Sequence, residues 1–361
     1  MEFALSEAQR QMQDSLRSAL TRACPLARVR DVADRGLARD DAVWAVVCEL
    51  GVPALLVPEA HGGLGLSLLD AAIAAEELGR RAAPVPFLGS AVLATIALRE
   101  AASAEQQAQW LPRIATGEAV VGVALCEALA GAGAGVQLRD ERLHGSSCFV
   151  IDAAQAEAYL LAAADGSLYL VSAEAPGLHR VPLLSIDATR PLSELHLDGV
   201  VAQRLPGSDA RTLRRLRDAA WVINAADTLG AGWAMIDQSV AFAHDRKQFG
   251  RAIGTFQAVK HMCAEMASEL EITRAIVWYA AHAFDEKPEV LSLYAAHAKA
   301  LLGDAGQFVA RTATEVHGGM GITDDLGLHH WYKRIGLNRQ LYGGPGWARR
   351  IAAVEQGWAR I

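Results

Sequence analysis

The fold of this chain is decided by the stretch Asp245-Arg246-Lys247-Gln248-Phe249-Gly250-Arg251-Ala252-Ile253-Gly254-Thr255-Phe256-Gln257. It interrupts two long segments whose apolar residues recur every three or four positions, the pattern of amphipathic helices. Arginine presents a rigid fork of donors that matches a phosphate group, and the glycines let a ligand approach the backbone closely. The stretch is therefore either a solvated loop between helices or a binding segment for an anionic cofactor.

A second glycine-rich stretch lies further along the chain, in the order Glu315-Val316-His317-Gly318-Gly319-Met320-Gly321-Ile322-Thr323. On its own it fits an ordinary glycine cap at the end of a helix. The run Arg-x-Gln-Phe-Gly-x-x-Ile-x-x-Phe-Gln of the first stretch, followed by this second one, resembles the signatures of the flavin-dependent acyl-CoA dehydrogenase family. Residues 58–65 and 76–79 extend the resemblance over nearly the whole chain.

The composition is that of an ordinary globular protein. The chain has 361 residues, of which 52% are hydrophobic and 21% are charged, enough for two or three domains. The formal net charge is -7 and no basic tract is present. Because nucleic-acid binding requires a basic surface, we expect no nucleic-acid partner.

The N-terminus lacks the basic start and apolar run of a signal peptide. No uninterrupted apolar run reaches about 18 residues, so we expect no membrane-spanning helix. The five cysteines are scattered and form no C-x-x-C pair, which predicts reduced thiols in a cytoplasmic protein. These cysteines are Cys24, Cys48, Cys126, Cys148 and Cys263.

The pattern of the chain predicts an α+β protein of three parts. Residues 1–116 form an N-terminal helical domain, residues 117–207 a β-domain and residues 208–361 a C-terminal helical bundle. The β-domain has the size of a barrel or sandwich of about seven or eight strands. Strands are predicted near residues 120–125, 148–151, 158–162, 167–171 and 193–197. The resemblance implies that the C-terminal part is a four-helix bundle, with flavin in the cleft beside the β-domain.

Several helix boundaries follow from capping and proline signals. Ser103 is expected to cap the helix that starts at Ala104. Proline opposes helix continuation, so helices should end at Pro84-Val85-Pro86 and at Leu111-Pro112. Pro288 should separate two long helices, and a final helix should start near Trp347.

The resemblance assigns the two glycine-rich stretches to FAD, the family's cofactor. It implies that Arg246, Gln248, Phe249 and Gln257 reach FAD across a subunit interface. It also implies that the second glycine-rich stretch, residues 315–323, presents its backbone to the FAD pyrophosphate. That stretch contributes Glu315, Gly318 and Gly319. Glu315 replaces the family's usual glutamine, and a carboxylate beside a pyrophosphate is mildly repulsive.

The resemblance also implies a reaction that this chain is poorly equipped to perform alone. Family members remove a proton from the α-carbon of an acyl-CoA thioester with a carboxylate, usually the glutamate of Tyr-Glu-Gly-Thr. Here the matching run is Leu341-Tyr342-Gly343-Gly344-Pro345, which places Gly343 at the base position. The alternative base position used by some members is Ala220. Neither residue can accept a proton.

Two carboxylates lie near the alternative base position. Asp218 is two residues from Ala220, and Asp227 is two turns further along the same helix. Either could in principle serve as the base. Asp218 is the candidate, although a helix turns a neighbour at i+2 to another face. Its alternatives are a solvated helix acid or a contact to the CoA part of the substrate.

The residues that hold the flavin ring in the family are altered as well. The segments that match the family's Thr-Glu-Pro and Trp-Ile-Thr are Cys126-Glu127-Ala128 and Phe149-Val150-Ile151. A cysteine and an isoleucine replace two hydroxyl-bearing residues, so the ring would lose two hydrogen bonds. The chain therefore resembles the partner subunit of the heteromeric acyl-CoA dehydrogenases of bacterial steroid and related degradation. In those assemblies the other polypeptide supplies the base.

Three hypotheses follow. The chain is a subunit of an FAD-dependent acyl-CoA dehydrogenase, a homo- or heterotetramer or a dimer, which oxidises a bulky or steroid-derived acyl-CoA and passes electrons to an electron-transfer flavoprotein. Alternatively, it is a catalytically silent structural partner that completes another chain's FAD site, or a relative that uses flavin for oxidation or oxygenation. A metal site is not expected, because the eleven histidines show no ligand spacing. The adjacent His329 and His330 should point to different faces of a helix.

Overall fold

The computed structural model describes residues 4–360. A block of strands lies between two helical regions, which confirms the predicted mixed helix-and-sheet fold. The N-terminal helices are α1 (Glu7–Ala23), α2 (Leu26–Arg35), α3 (Asp41–Glu49), α4 (Leu68–Arg80), α5 (Thr95–Ala101) and α6 (Ala104–Ala115). A π-helix spans Phe87–Ala94 and leads directly into α5.

The boundaries of α6 separate a correct prediction from a wrong one. Ser103 caps the helix, and the backbone N–H of Gln106 donates to its Oγ at 3.3 Å. The prediction that a helix ends at Pro112 is wrong, because Pro112 lies inside α6. Proline removes one hydrogen bond from the helix, but the last turn buries Ile114 and Ala115. This burial keeps the turn helical for three further residues.

The central strands form one eight-stranded sheet. Its order is β6-β7-β3-β1-β4-β5-β8, with β2 paired to β3. Only the pairing of β1 with β4 is parallel. The elements are β1 (Val121–Ala124), the short helix α7 (Cys126–Leu129), β2 (Val136–Arg139), β3 (Arg142–Ile151), β4 (Ala158–Ala162), β5 (Leu168–Ser172), β6 (Leu178–Leu183), β7 (Leu192–Val200) and β8 (Gln203–Arg204).

Each of the five predicted apolar runs lies on one of these strands, namely β1, β3, β4, β5 and β7. The strands β2, β6 and β8 were not predicted. They lie at or near the edges of the sheet and expose most of their residues. A strand that faces solvent on both sides carries no apolar run for a sequence pattern to detect.

The C-terminal region is a bundle around one long central helix. Its helices are α8 (Ala210–Asp245), α9 (Gln257–Glu286), α10 (Pro288–His317), α11 (Leu328–Gln340) and α12 (Pro345–Glu355). A small hairpin of β9 (Lys247–Gln248) and β10 (Arg251–Ala252) connects α8 to α9. Pro288 begins α10, as expected. Among residues 4–360, no helix combines the length and the apolar character needed to cross a membrane.

Candidate functional site

The hairpin between α8 and α9 projects its tip into solvent. Phe249 and Gly250 form the two-residue loop, with φ angles of 53° and 79°. Positive φ at both positions is the geometry of a type I′ turn, which glycine adopts easily and phenylalanine does not. The Phe249 side chain is 90% exposed. Its ring meets that of Phe256 edge to face, with centroids 6.0 Å apart. Because most of this strained side chain is exposed, the position is a candidate for contact with another molecule.

Arg246 stands at the base of this hairpin as the C-cap residue of α8. Its backbone N–H donates to Phe242 O at 2.9 Å. Within the described part of the chain, its exposed guanidinium has no carboxylate or other hydrogen-bond acceptor. Gln248 and Gln257 are exposed beside it. The structure thus leaves three polar side chains available for a partner or ligand.

The glycine turn after α10 lies at the same end of the bundle as the hairpin. The His317 ring packs on Phe242, with ring centroids 4.6 Å apart, so the ends of α8 and α10 are in contact. Gly318 has φ 57°, and within residues 4–360 no atom other than those of the adjacent residues lies within 4 Å of a Cβ added at Gly318 or Gly319. Backbone at these glycines is open to an approaching ligand.

We call the exposed residues of these two segments the outward face. It consists of Arg246, Gln248, Phe249, Gln257, Glu315, Gly318 and Gly319. Its open glycine backbone and unpaired arginine fit the pyrophosphate of FAD. The exposure of the whole set fits a role in a site that a second chain completes.

The turn that carries the base in the family is firmly held in this chain. Tyr342 and Gly343 have φ angles of 61° and 96°. The backbone N–H of Tyr342 donates to Cys126 Sγ at 3.4 Å, and Trp221 Nε1 donates to its carbonyl oxygen at 2.9 Å. Lys299 Nζ donates to Leu341 O at 2.8 Å and also to Asn338 O. Four hydrogen bonds thus hold a turn with two positive φ angles at a position that carries no carboxylate.

The indole of Trp347 occupies the space in front of this turn. A Cβ added at Gly343 would lie 2.5 Å from Trp347 Cδ1. A Cβ added at Gly131, in the loop after α7, would lie 2.5 Å from Trp347 Cζ2. The indole therefore contacts both the β-domain loop and the Tyr342 turn. No side chain, and no glutamate in particular, fits at position 343 unless Trp347 moves.

Ala220, at the other base position, is fully buried on α8. Asp218 is only 1% exposed, so the alternative of a solvated helix acid is wrong. Its carboxylate accepts hydrogen bonds from Arg217 Nε at 2.9 Å and from Ser292 Oγ at 2.5 Å. Burial raises the pKa of Asp218, against the opposing charge of Arg217. These partners turn the carboxylate toward the start of α10.

The residues expected to replace the flavin-ring anchors are turned into the protein. Cys126 is buried, and its sulfur accepts the Tyr342 N–H. Ile151 is fully buried at the end of β3. Phe149 lies in an irregular part of β3 with φ 57° and is 48% exposed. Cys126 and Ile151 therefore offer no free polar side-chain group to a flavin ring.

A buried ionic network lies between the β-domain and the helices that precede the Tyr342 turn. Arg334 on α11 is 1% exposed and donates to Asp187, Thr189 and Asp227. Burial opposes the charge on Asp187, but the Arg334 guanidinium holds its pKa below the usual value. Arg190 also pairs with Asp227, at 3.2 Å. The network joins the β-domain to α8 and α11 and so fixes the helix that leads into the Tyr342 turn.

The sequence patterns predicted no role at the Tyr342 turn for Trp347, Trp221 or Lys299. Burial lowers the pKa of Lys299 to about 7. Its position in the run Ala295 to Leu302, where His297 is the one other polar residue, was a usable signal, because alanine and leucine neighbours favour burial. The prediction that His329 and His330 point to different faces is wrong, since their ring centroids are 4.1 Å apart. Both lie in the first turn of α11, where the rings can still turn toward each other.

Comparisons with known proteins agree with this architecture. Family models for the acyl-CoA dehydrogenase N-terminal and C-terminal domains match residues 6–118 and 216–355. The chain is 32% identical to acyl-CoA dehydrogenase IpdE2 of Mycobacterium tuberculosis over 88% of this chain and 87% of that protein.

Two solved structures are similar over almost their whole length. The ChsE4-ChsE5 complex from Mycobacterium tuberculosis matches with a TM-score of 0.91 and 26% identity, over 100% of both chains. A variant of the Tcur3481-Tcur3483 steroid ACAD matches with a TM-score of 0.88 and 28% identity, over 97% of this chain and 98% of that one. The chain belongs to the acyl-CoA dehydrogenase family, whose members are FAD-dependent oxidoreductases acting on CH–CH groups, and it resembles the partner-type subunits of that family.

Proposed function

We propose that this chain is one subunit of a heteromeric acyl-CoA dehydrogenase that forms a 2,3-double bond in an acyl-CoA thioester. In this assembly the outward face completes an FAD site whose remaining residues, including the catalytic carboxylate, belong to the partner chain. The observation that carries the proposal is the contact of Trp347 with Gly343 and Gly131, because it leaves the base position with no side chain and no space.

In the family two sets of residues contact FAD, one that reaches across the subunit interface and one beside the flavin ring. Only the first set suits FAD in this chain. The outward face fits FAD, because Arg246 is unpaired among residues 4–360 and the glycine backbone is open. The chain's own residues do not fit the flavin ring, because Trp347 packs against Gly343 and Gly131 and Cys126 is bonded to the Tyr342 turn. FAD would supply the hydride acceptor of the reaction. The role of this chain is to hold the phosphate groups and to exclude water at the interface.

Arg246 is the residue we assign to the pyrophosphate. Its guanidinium can donate two parallel hydrogen bonds to phosphate oxygens, and its position at the C-cap of α8 is fixed by the backbone bonds around it. Backbone at Gly318 and Gly319 would lie against the same group. Glu315 is the one unfavourable charge in this set and weakens the site slightly.

The substrate we propose is a bulky, ring-bearing acyl-CoA, and the electron acceptor is an electron-transfer flavoprotein. The substrate class is supported by the steroid ACAD among the similar structures. It is also consistent with an assembly in which only the partner chains bind substrate. The substrate site of each partner chain can then extend into space that a second substrate would otherwise occupy. The free thiols of all five cysteines support a cytoplasmic setting.

The lack of a carboxylate at the base position also favours a second candidate, a catalytically silent partner that stabilises the assembly without contacting FAD. The two candidates differ in what the outward face does. If the chain only stabilises its partner, changes at Arg246 should weaken neither FAD binding nor turnover. If it completes the FAD site, both should fall while the assembly persists.

The test compares this chain alone with its assembly with an acyl-CoA dehydrogenase chain encoded beside it. Alone and supplied with FAD, it should turn over steroid-derived acyl-CoA about a hundred- to ten-thousand-fold more slowly than the assembly, the usual contribution of a positioned base. Changing the partner's base glutamate to glutamine should abolish the activity, whereas Asp218→Asn in this chain should not. Dehydrogenation by the isolated chain that disappears in Asp218→Asn would overturn the proposal and make Asp218 the base.

A further inference from the structure

Three potential metal ligands meet where α11 begins. One ligand atom each from Asp324, His329 and His330 lies within 4.8 Å of the others. His329 Nε2 is 3.4 Å from Asp324 Oδ1, and the two imidazole rings are 4.1 Å apart between centroids. A Zn²⁺ ion binds imidazole nitrogen and carboxylate oxygen at about 2.0–2.2 Å. Small side-chain rotations would therefore bring all three groups into its coordination sphere.

His330 supplies an independent sign of a missing partner. The residue is 5% exposed, and its Nε2 is buried without a hydrogen-bond partner among the described residues. Buried polar atoms in native proteins almost always have a partner, and an imidazole nitrogen is the commonest metal ligand in proteins.

The surroundings give the cluster a rigid frame and an entrance. Arg30 on α2 donates to the backbone carbonyls of Asp324 and Asp325 and so fixes the turn before α11. Asp324 is 74% exposed at its side chain, whereas that of His329 is 23% exposed. An ion could therefore enter from the solvent side, with water as a fourth ligand. The positive charges of Arg30 and Lys333 oppose a cation, while Asp34 and Asp324 attract it.

We propose that Asp324, His329 and His330 form a binding site for a divalent metal of the zinc class. The choice of metal follows from the ligand set, because two imidazoles and one carboxylate suit Zn²⁺ and Co²⁺ better than Mg²⁺ or Ca²⁺. The site is structural rather than catalytic. His330 lies ten residues before Gln340, the last residue of α11, a rise of about 15 Å, and a bound ion would join the turn at Asp324 to the helix that leads into the Tyr342 turn.

The test is a titration of the chelator-treated full chain with Co²⁺ and Zn²⁺. We expect one ion per chain, with the visible absorption of four-coordinate Co²⁺ and displacement of Co²⁺ by Zn²⁺. His330→Gln and Asp324→Asn should each weaken binding by about tenfold or more. Asp324 is exposed, so its variant separates loss of a ligand from loss of the fold. His196→Gln is the matched control, because His196 is a half-exposed histidine with a carboxylate 3.6 Å away.

Binding that falls in the two cluster variants and persists in His196→Gln would support the site. Binding that is unchanged in Asp324→Asn, or that falls equally in the control, would overturn it, because the ions would then lie elsewhere on the surface. Failure of the chain to bind one equivalent of either metal would overturn it too. None of these outcomes depends on the partner chain or on dehydrogenase activity.

Discussion

The outward face and the Tyr342 turn both derive from glycine-rich segments of the family, but they have opposite characters. At the outward face, Gly318 and Gly319 border open space, and Phe249 is 90% exposed. At the Tyr342 turn, Gly343 borders an indole ring at a distance that excludes any side chain. The difference supports our proposal that this chain contributes the outward face to a partner's FAD site, while its own base position has no room for a carboxylate.

The largest effect is expected at Arg246, the arginine of the outward face. Arg246→Ala should weaken FAD binding in the assembled protein by about 10- to 150-fold, since a charge-assisted hydrogen-bonded contact is worth about 1.5–3 kcal/mol. The measurement is calorimetric titration of the FAD-depleted assembly. Arg211→Ala is the matched control, because Arg211 is exposed at the opposite end of α8. Equal FAD affinity in both variants would place the cofactor elsewhere.

A substitution at Gly343 tests whether the Tyr342 turn has room for a side chain. Gly343→Ala should lower the free energy of unfolding by about 1–3 kcal/mol, because the new methyl group overlaps Trp347 and the φ of 96° disfavours any side chain. Gly344→Ala is the control, since its φ is −78° and its new Cβ meets mainly the flexible Gln340 side chain.

A double variant makes this test specific to the indole. In a Trp347→Ala background the cost of Gly343→Ala should shrink to the backbone term alone, as measured by denaturant unfolding of all four proteins. Purely additive effects of the two changes would show that Trp347 does not occupy this space.

A substitution at Phe249 separates an effect on association with the partner chain from an effect on the stability of the isolated chain. Phe249→Ala should leave the thermal unfolding of the isolated chain nearly unchanged, because the side chain is exposed. The same change should weaken association with the partner chain by about 1–2 kcal/mol, the effect of a well-packed interface residue. Sedimentation or calorimetry of the two chains gives the affinity. An unchanged affinity together with a destabilised isolated chain would reverse the assignment.

The stability effect of Lys299 is the most gradual, because it develops over several pH units. Its pKa is lowered to about 7 from an ordinary value of 10.5, so between these values the unfolded chain binds more protons than the folded one. The contribution of Lys299 to stability should therefore rise with pH above about 7, by at most about 1.4 kcal/mol per pH unit. Comparing unfolding of the native chain and Lys299→Met from pH 7 to pH 9 measures it. Parallel curves would show that the amine stays charged beneath the Tyr342 turn.

The parts of the site that sequence could predict are those that short-range rules govern. The residue at the base position and the exposure of the hairpin follow from motif spacing and from turn residues such as Gly250. The position of Trp347 does not, because it depends on Gly131, which lies more than two hundred residues earlier in the chain. Pro112 was mispredicted for the same reason, since tertiary burial of Ile114 outweighs a local helix-breaking signal.

The edge strand β6 shows a different limit. Its residues are mostly exposed, so its pairing with β7 is held by backbone hydrogen bonds that no side-chain pattern records. The buried network of Arg334 was also invisible to sequence, because Asp187 and Arg334 are separated by the whole of α8, α9 and α10. Long-range partners of this kind require the folded chain.

The central claim is that this chain serves a partner's FAD site and has none of its own. The most direct measurement is the amount of FAD per chain in the purified assembly, together with that of this chain purified alone. We expect one FAD for each pair of unlike chains and none retained by the isolated chain. One FAD bound per chain in the assembly, or a stably yellow isolated chain, would contradict it.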